Sequence, residues 1–295
     1  MNAVRPELEF TIEGHKLAAR CFNEDKAGTP IVFIHGLTTS LNFWSFVQVP
    51  MIQESVRWYS LSMPGHYPAV FPAGFREQDL TMDMLTRILA AAIHELTGDQ
   101  PVILAGHSLG GSAALSITSS EPGLVKGVVC ISGFIHGALR GLSGVLQWMA
   151  RSGKVSETLL KLDLKLLASS RCVFKYGISV FAHDWKALYS HPSIDRAIDL
   201  LYPDTKNLDV NAMAAFCRRL PDMDISEGLP RITAPTLLIT GTRDWIVQPE
   251  HSHMIKEKVR ASELVALEGA GHLPMIERAH QYRRAVTGWL EKIVS

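Results

Sequence analysis

One serine stands in a setting that could make it a nucleophile. Ser108 lies between Gly106 and Gly110, after the apolar run VILA and before the helix-like segment GGSAALSITSS. This is the G-x-S-x-G pattern of a sharp strand-to-helix turn, in which small residues let the strand and the helix approach closely. The start of a helix also offers N–H groups that stabilise developing negative charge. A glycine-rich turn without a catalytic role fits the same five residues. The presence of partner residues for the serine must therefore decide between the two interpretations.

A serine hydroxyl needs a base that takes its proton, and the base needs a group that orients it. Asp244 comes shortly after the strand-like segment APTLLITG, and His272 comes shortly after SELVALEGAG. Alone, each is more typical of a turn or a surface. Together they follow Ser108 in the order serine, acid, histidine, each near the carboxyl end of a predicted strand, where open α/β sheets carry their sites. The sequence therefore predicts a catalytic triad of Ser108, Asp244 and His272.

A serine nucleophile also needs donors for the oxyanion that forms on the attacked carbonyl. One predicted donor is the backbone N–H of Leu109, directly after the nucleophile. The other is the N–H of Leu37 in the segment FIHGLTTS, where Gly36 permits a turn that aims the amide inward. We interpret His35 in this segment as a residue that shapes the loop rather than as a base.

Strand-like and helix-like segments alternate in both outer parts of the chain. Continuous apolar runs such as PIVFIHG and PVILAG suit parallel strands buried on both faces, and helical patterns separate them. Residues 41–54 and 275–293 each read as one helix. The middle of the chain shows helical stripes only, without a strand of the main type. These patterns predict an α/β fold with a mostly parallel sheet, a core of residues 1–133 and 232–295, and a helical cap over 134–231.

Composition and charge limit the classes of partner that we expect for this protein. The chain of 295 residues has 29 Lys+Arg and 29 Asp+Glu, so its overall charge favours neither nucleic acid nor an anionic membrane surface. No run is apolar enough to span a bilayer, the N-terminus resembles no secretory signal, and four scattered cysteines indicate reduced thiols, so we expect a cytoplasmic protein. We expect no cofactor and no metal, since His251-x-His253 lacks a third ligand and reads as a solvated helix surface. The oligomeric state stays open.

The segments HGLTTS, SMPGHYP, GHSLGG, GTRDWIVQP and GAGHLPMIERAHQY follow one another in the order and spacing of a known family. The chain resembles the α/β-hydrolase fold superfamily, in particular its cap-bearing serine esterase, lipase and acyl-transfer branch. The resemblance implies an eight-stranded sheet with a cap inserted after the sixth strand. One motif departs from it: where relatives often read Asp-x-Pro-Gly-x-Gly, this chain has Ser62-Met63-Pro64-Gly65-His66-Tyr67.

The resemblance also implies that a serine, rather than an aspartate, at the elbow attacks a carbonyl. We therefore expect a serine hydrolase that cleaves a small-molecule carboxylic ester, thioester or lactone through an acyl-enzyme. Three alternatives remain: a carbon–carbon bond hydrolase, an acyltransferase or thioesterase with a carrier-bound substrate, and a binding module without turnover. Aromatic and apolar side chains predict an apolar acyl or aromatic portion, although most of them could instead pack the cap against the core. The predicted substrate-binding residues are Gly36, His107, Phe134, Trp148, Met149, Phe181 and Phe216.

Overall fold

An eight-stranded sheet forms the centre of the molecule, for which a computed structural model describes residues 8–294. The strands are β1 (Leu8–Ile12), β2 (His15–Phe22), β3 (Ile31–Ile34), β4 (Trp58–Leu61), β5 (Val102–His107), β6 (Val125–Ile131), β7 (Thr236–Gly241) and β8 (Ser262–Leu267). They lie in the order β1-β2-β4-β3-β5-β6-β7-β8. Strand β2 runs antiparallel to β1 and β4, and all other neighbouring pairs are parallel. The predicted α/β class with a mostly parallel sheet is confirmed.

Helices cover both faces of this sheet. They are α1 (Pro50–Ser55), α2 (Met82–Thr97), α3 (Leu109–Ser120), α4 (Gly141–Arg151), α5 (Lys154–Leu167), α6 (Arg171–Gly177), α7 (Trp185–Ser190), α8 (Ile194–Lys206), α9 (Val210–Arg219), α10 (Glu250–Lys258), α11 (Pro274–Glu277) and α12 (Ala279–Val294). Short 3-10 helices occupy Leu41–Ser45, Glu77–Asp79, Ile178–Phe181, Leu220–Asp222 and Leu229–Arg231. Helices α4–α9 lie between β6 and β7 in the chain, and we call them the helical insert.

Strand β3 shows how the sequence builds two hydrophobic cores. Its side chains are all buried and alternate between the faces of the sheet. Val32 and Ile34 belong to the core under α2 and α3, whereas Ile31 and Phe33 belong to the core on the opposite face. A strand covered on both sides cannot afford polar positions, which explains the continuous apolar run.

Two helices that the sequence predicts as continuous are interrupted. The segment 41–54 forms a 3-10 helix over Leu41–Ser45 and then α1, which begins at Pro50. Proline has no N–H for the helix and clashes with the preceding turn, so it fits at a helix start and ends what comes before. The C-terminal segment is divided at Arg278, whose φ of −130° and ψ of 46° are not helical.

The insert leaves the sheet after β6 and returns to β7 through two adjacent stretches of chain. The N–H of Gly137 donates to the carbonyl oxygen of Met223 (2.8 Å), and that of Ile225 donates to Ile135 (2.9 Å). The outgoing and returning stretches therefore pair with each other, which holds the base of the insert on the sheet. Across the described part of the chain, no helix is long and apolar enough to cross a membrane.

Candidate active site

Ser108 occupies a strained turn between β5 and α3. Its φ of 55° and ψ of −122° lie in a region that side-chain-bearing residues rarely adopt. The turn is held because the N–H of Ser108 donates to the carbonyl oxygen of Ile131 at 2.8 Å. A Cβ on Gly106 would overlap the backbone of Gly110, and one on Gly110 would overlap the backbone of Ile34. Both glycines of the pattern are thus required by close packing of backbone on backbone.

His272 and Asp244 meet on two neighbouring loops at the carboxyl end of the sheet. Asp244 follows β7, His272 follows β8, and both side chains are buried. The Nδ1 of His272 lies 2.7 Å from Oδ2 of Asp244, while Oδ1 accepts the N–H groups of Ile246 (2.9 Å) and Val247 (3.0 Å). The carboxylate oxygen accepts, so Nδ1 of His272 is the donor of this hydrogen bond, and Nε2 takes no part in it.

His107 supports the loop that carries His272. Its Nε2 donates to the carbonyl oxygen of His272 at 2.8 Å, and its ring stacks on Phe43 with a centroid separation of 5.4 Å. Burial, reinforced by the neighbouring His272, holds the pKa of His107 well below its ordinary value. His107 is therefore a neutral donor that fixes the backbone at His272.

The loop after β3 lies directly against Ser108. A Cβ on Gly36 would lie 3.1 Å from Cβ of Ser108, so the loop can approach this closely only with glycine. His35 holds the loop, since its Nδ1–H donates to the carbonyl oxygen of Gly36 (2.9 Å) and its Nε2 accepts the N–H of Met63 (3.1 Å). Burial lowers the pKa of His35 to about 4, which keeps it neutral in this role.

The two predicted oxyanion donors lie beside Ser108. Leu109 is the first residue of α3, and an N–H at that position has no acceptor within its own helix. Leu37 follows Gly36 in the adjacent loop, and both leucines line the same cavity as Ser108 and His272. The candidate nucleophile, the candidate base and the two candidate donors therefore line one cavity.

That cavity runs between the sheet and the helical insert and is lined mainly by apolar side chains. Gly36, His107, Phe134 and Phe181 lie on its wall, as the sequence predicts. Further wall residues are Phe43, Phe46, Leu142, Leu146, Phe174, Ile178 and Ile198. Helical periodicity could group Leu142 and Leu146 on one face of α4, but it could not show which face turns toward the sheet.

Three predicted substrate-binding residues lie elsewhere. Trp148 is on the outer face of α4 and is 64% exposed, because only the opposite face of that helix meets the cavity. Phe216 is fully buried in α9, where its ring packs on His66 and Phe71. Met149 is half-buried and packs on the core beneath the insert. Phe216 and Met149 therefore pack inside the protein, which was the alternative interpretation, whereas Trp148 faces solvent.

One end of the cavity is polar. Asp204 of α8 lies on its wall, and its Oδ2 accepts hydrogen bonds from Oγ of Ser40 (2.5 Å) and Nδ2 of Asn42 (2.6 Å). Ser40 also caps the following 3-10 helix by accepting the N–H of Asn42. This cluster ties the insert to the segment that follows Leu37.

Glu277, which the sequence analysis did not single out, connects the base loop with the insert. Its buried carboxylate accepts the N–H groups of Gly271 (3.0 Å) and Leu273 (3.3 Å), which flank His272. It also accepts the N–H groups of His183 (2.9 Å) and Asp184 (2.7 Å), which precede α7. A glutamate five residues after the histidine is visible in GAGHLPMIE, but only the fold shows what surrounds it.

Only one of the two histidines on α10 is exposed to solvent, whereas the sequence analysis expected both to be. His251 is buried, accepts the N–H of Ile135 at 3.4 Å and packs edge-on against His136, whereas His253 is exposed. Within residues 8–294, no group of three or more His, Cys, Asp or Glu side chains is arranged to hold a metal ion.

Comparison with known proteins identifies the family of this chain. A model of the alpha/beta hydrolase family matches residues 31–285. The assigned carbamate hydrolase RutD of Pseudomonas savastanoi pv. phaseolicola is 26% identical over 267 residues, covering 88% of this chain and 93% of that protein. Lipase 3 of Moraxella sp. is 23% identical, covering 86% of this chain and 75% of the lipase. The enol-lactonase of Burkholderia xenovorans LB400 superposes with a TM-score of 0.75 at 18% identity, over 96% of this chain and all of its own.

The family match spans most of the chain, and the chain therefore belongs to the alpha/beta hydrolase family. Its relatives and its fold make it a hydrolase in the general sense.

Proposed function

We propose that the protein is a serine hydrolase that cleaves a carboxylic ester, thioester or lactone through an acyl-enzyme on Ser108. The observation that carries the proposal is the hydrogen bond between His272 and Asp244, in a site whose cavity also contains a strained serine. A neutral imidazole with its free nitrogen at the cavity is the base that such a serine needs.

The proposed reaction has two halves. His272 takes the proton of Ser108 as the hydroxyl attacks the carbonyl carbon, and the oxyanion accepts the N–H groups of Leu37 and Leu109. The leaving alcohol or thiol receives the proton from His272, and an acyl group stays on Ser108. Water then attacks this acyl-enzyme with His272 again as the base, which releases the acid and restores the serine. Throughout, Asp244 holds the tautomer and stabilises the imidazolium.

The lining of the cavity supports an apolar acyl or aromatic portion. Side chains from both sides, including Phe43, Leu146, Phe174 and Ile198, offer hydrocarbon surface next to Ser108. Removal of an apolar chain from water provides binding energy in proportion to the area buried. We further propose that residues 134–231 act as a cap over this pocket, since α4, α6 and α8 all contribute wall residues.

The relatives are consistent with attack on a carbonyl, since they include an assigned carbamate hydrolase, a lipase and an enol-lactonase. They do not share one substrate. The choice of an ester with an apolar acyl group therefore depends on the serine and on the cavity of this chain.

The test is hydrolysis of p-nitrophenyl esters from acetate to palmitate. Ser108→Ala should abolish turnover, whereas Ser143→Ala, which removes another hydroxyl from the cavity wall, should leave most of it. Activity should rise with acyl length until the pocket is filled. Equal rates for all chain lengths would contradict the apolar pocket. If no ester reacts but a diketone ring-cleavage product does, the protein is a carbon–carbon bond hydrolase instead.

A further inference from the structure

Helix α5 exposes a continuous stripe of aliphatic side chains. Val155, Leu159, Leu162 and Leu166 follow at intervals of four, three and four residues, which places them along one face of a helix. All four are between 54% and 77% exposed. The helix does bury Leu160 and Leu164 on its other side, so the exposed leucines are additional to the face that packs.

The stripe belongs to a larger apolar region on the outside of the insert. Within the described part of the chain, twelve large apolar or aromatic side chains are exposed, and eight of them fall between residues 145 and 185. Besides the stripe, these are Val145, Trp148, Tyr176 and Trp185. We call the stripe together with Val145 and Trp148 the outer apolar face. Helices α4 and α5 pack against each other, so the exposed residues of α4 adjoin the stripe. Such a concentration marks an interaction site.

Basic residues accompany this face. Residues 151–186 contain seven basic and three acidic side chains, although the whole chain is balanced. On α5, Lys154, Lys161 and Lys165 align along one flank of the stripe, being seven and four residues apart. Lys161 pairs with Glu157, whereas Lys154 and Lys165 have no carboxylate partner among residues 8–294. Arg151, Arg171 and Lys175 pair with Asp222, Asp199 and Asp195, which lie outside this segment. The positive charge beside the stripe therefore comes from Lys154 and Lys165, with Asp163 as the acidic residue of the same helix that has no ion pair in the described part of the chain.

We propose that the outer apolar face docks on an anionic lipid surface. A helix with an apolar stripe, lysines on its flank and a tryptophan on the adjoining helix has the features of a helix that lies in a membrane interface. The leucines would enter the boundary of the acyl chains, Trp148 would lie at the headgroups, and the lysines would meet lipid phosphates.

Charge separates this occupant from a second copy of the chain. In a two-fold dimer that pairs the two α5 helices antiparallel, the lysine flanks of the two copies would be brought together. An anionic surface has the opposite sign and attracts them. The proposal does not depend on the proposed reaction, because docking involves residues outside the cavity. Docking would, however, bring α4 close to the lipid, and the other side of α4 lines the cavity through Leu142 and Leu146.

The experiment is sedimentation of the full chain with vesicles of phosphatidylcholine, with and without phosphatidylglycerol. Wild type should bind the anionic vesicles and bind less as salt is raised. Leu159→Glu/Leu162→Glu should weaken binding roughly tenfold or more, because charged side chains replace two leucines that would be buried in the lipid. The matched control is Val70→Glu, an equally exposed apolar position on the sheet domain, which should bind like wild type.

Hydrolysis of a soluble short-chain ester, or near-ultraviolet circular dichroism if no ester reacts, shows that each variant is folded. Should the double glutamate variant misfold, Lys154→Glu/Lys165→Glu tests the same face and should reduce both affinity and salt dependence. Failure of wild type to bind anionic vesicles would overturn the proposal. So would equal binding to neutral vesicles, or a dimer in light scattering that the leucine changes abolish while vesicles are not bound.

Discussion

Replacement of Asp244 by asparagine isolates its effect on the base. The two oxygens of Asp244 have different partners: Oδ1 accepts from Ile246 and Val247, and Oδ2 accepts from His272. In Asp244→Asn the side-chain oxygen must stay toward the two N–H donors, so the new NH₂ group faces Nδ1 of His272. Two donors cannot face each other, and the imidazole proton therefore moves to Nε2, where the lone pair is needed.

The size of the effect follows from two losses. A hydrogen bond to a charged group contributes about 1.5–3 kcal/mol. A carboxylate close to an imidazolium contributes about 4 kcal/mol at an effective dielectric constant of about 20. Because the two contributions overlap, we expect a total loss of transition-state stabilisation of about 5.5 kcal/mol, which lowers kcat/KM about 10⁴-fold. Stability should change little, because the loop keeps both backbone hydrogen bonds.

The assay compares kcat/KM for a p-nitrophenyl ester with the thermal unfolding midpoint of the same sample. Intact mass must show that the asparagine has not deamidated, since traces of aspartate would restore activity. Asp244→Ala serves as the contrast: it also removes the acceptor for Ile246 and Val247 and should lower the midpoint. An intact asparagine variant with kcat/KM within about tenfold of wild type would refute the role of Asp244.

Three further predictions concern the surroundings of the site. Glu277→Ala removes the acceptor of four backbone N–H groups and should lower the free energy of unfolding by about 3–5 kcal/mol. Glu277→Gln should lower it less. Denaturant midpoints equal to that of wild type would contradict this prediction. Gly106→Ala places a methyl group inside the backbone of the adjacent turn and should abolish activity and lower the melting temperature, whereas Gly288→Ala, in open space on α12, should stabilise by about 0.5–1 kcal/mol. The pKa of His35 is lowered from 6.5 to about 4, so only the unfolded chain takes up its proton between these values. The contribution of His35 to the free energy of unfolding should therefore be constant above pH 6.5 and fall by about 3 kcal/mol as the pH falls to 4. Urea titrations that show stability rising on acidification would contradict this prediction.

The sequence predicts the sheet and the identity of the candidate triad because both have local signatures. Strands buried on both faces need apolar runs, and a strand-to-helix turn as tight as that at Ser108 needs its glycines. Asp244 and His272 could be selected because each follows such a strand. Their contact at 2.7 Å agrees with that selection, while their catalytic roles stay predictions.

The surroundings of the triad could not be predicted because they depend on how distant segments pack. Periodicity identifies an apolar stripe, but it does not say whether the stripe faces a cavity, a core or solvent. Phe216 turned out to fill a core and Trp148 to face outward, although both have side chains suited to an acyl pocket. Glu277 gives no clear local signal, since two of its four N–H partners, those of His183 and Asp184, lie 94 and 93 residues away in the chain.

Covalent trapping shows directly whether Ser108 is the nucleophile. Incubation with an alkyl fluorophosphonate, followed by intact mass and peptide mapping, reports which residue is the activated nucleophile. We predict one adduct per chain, located on Ser108, absent in Ser108→Ala and strongly slowed in Asp244→Asn. An adduct on another residue, or ester hydrolysis by a protein whose Ser108 does not react, would contradict it.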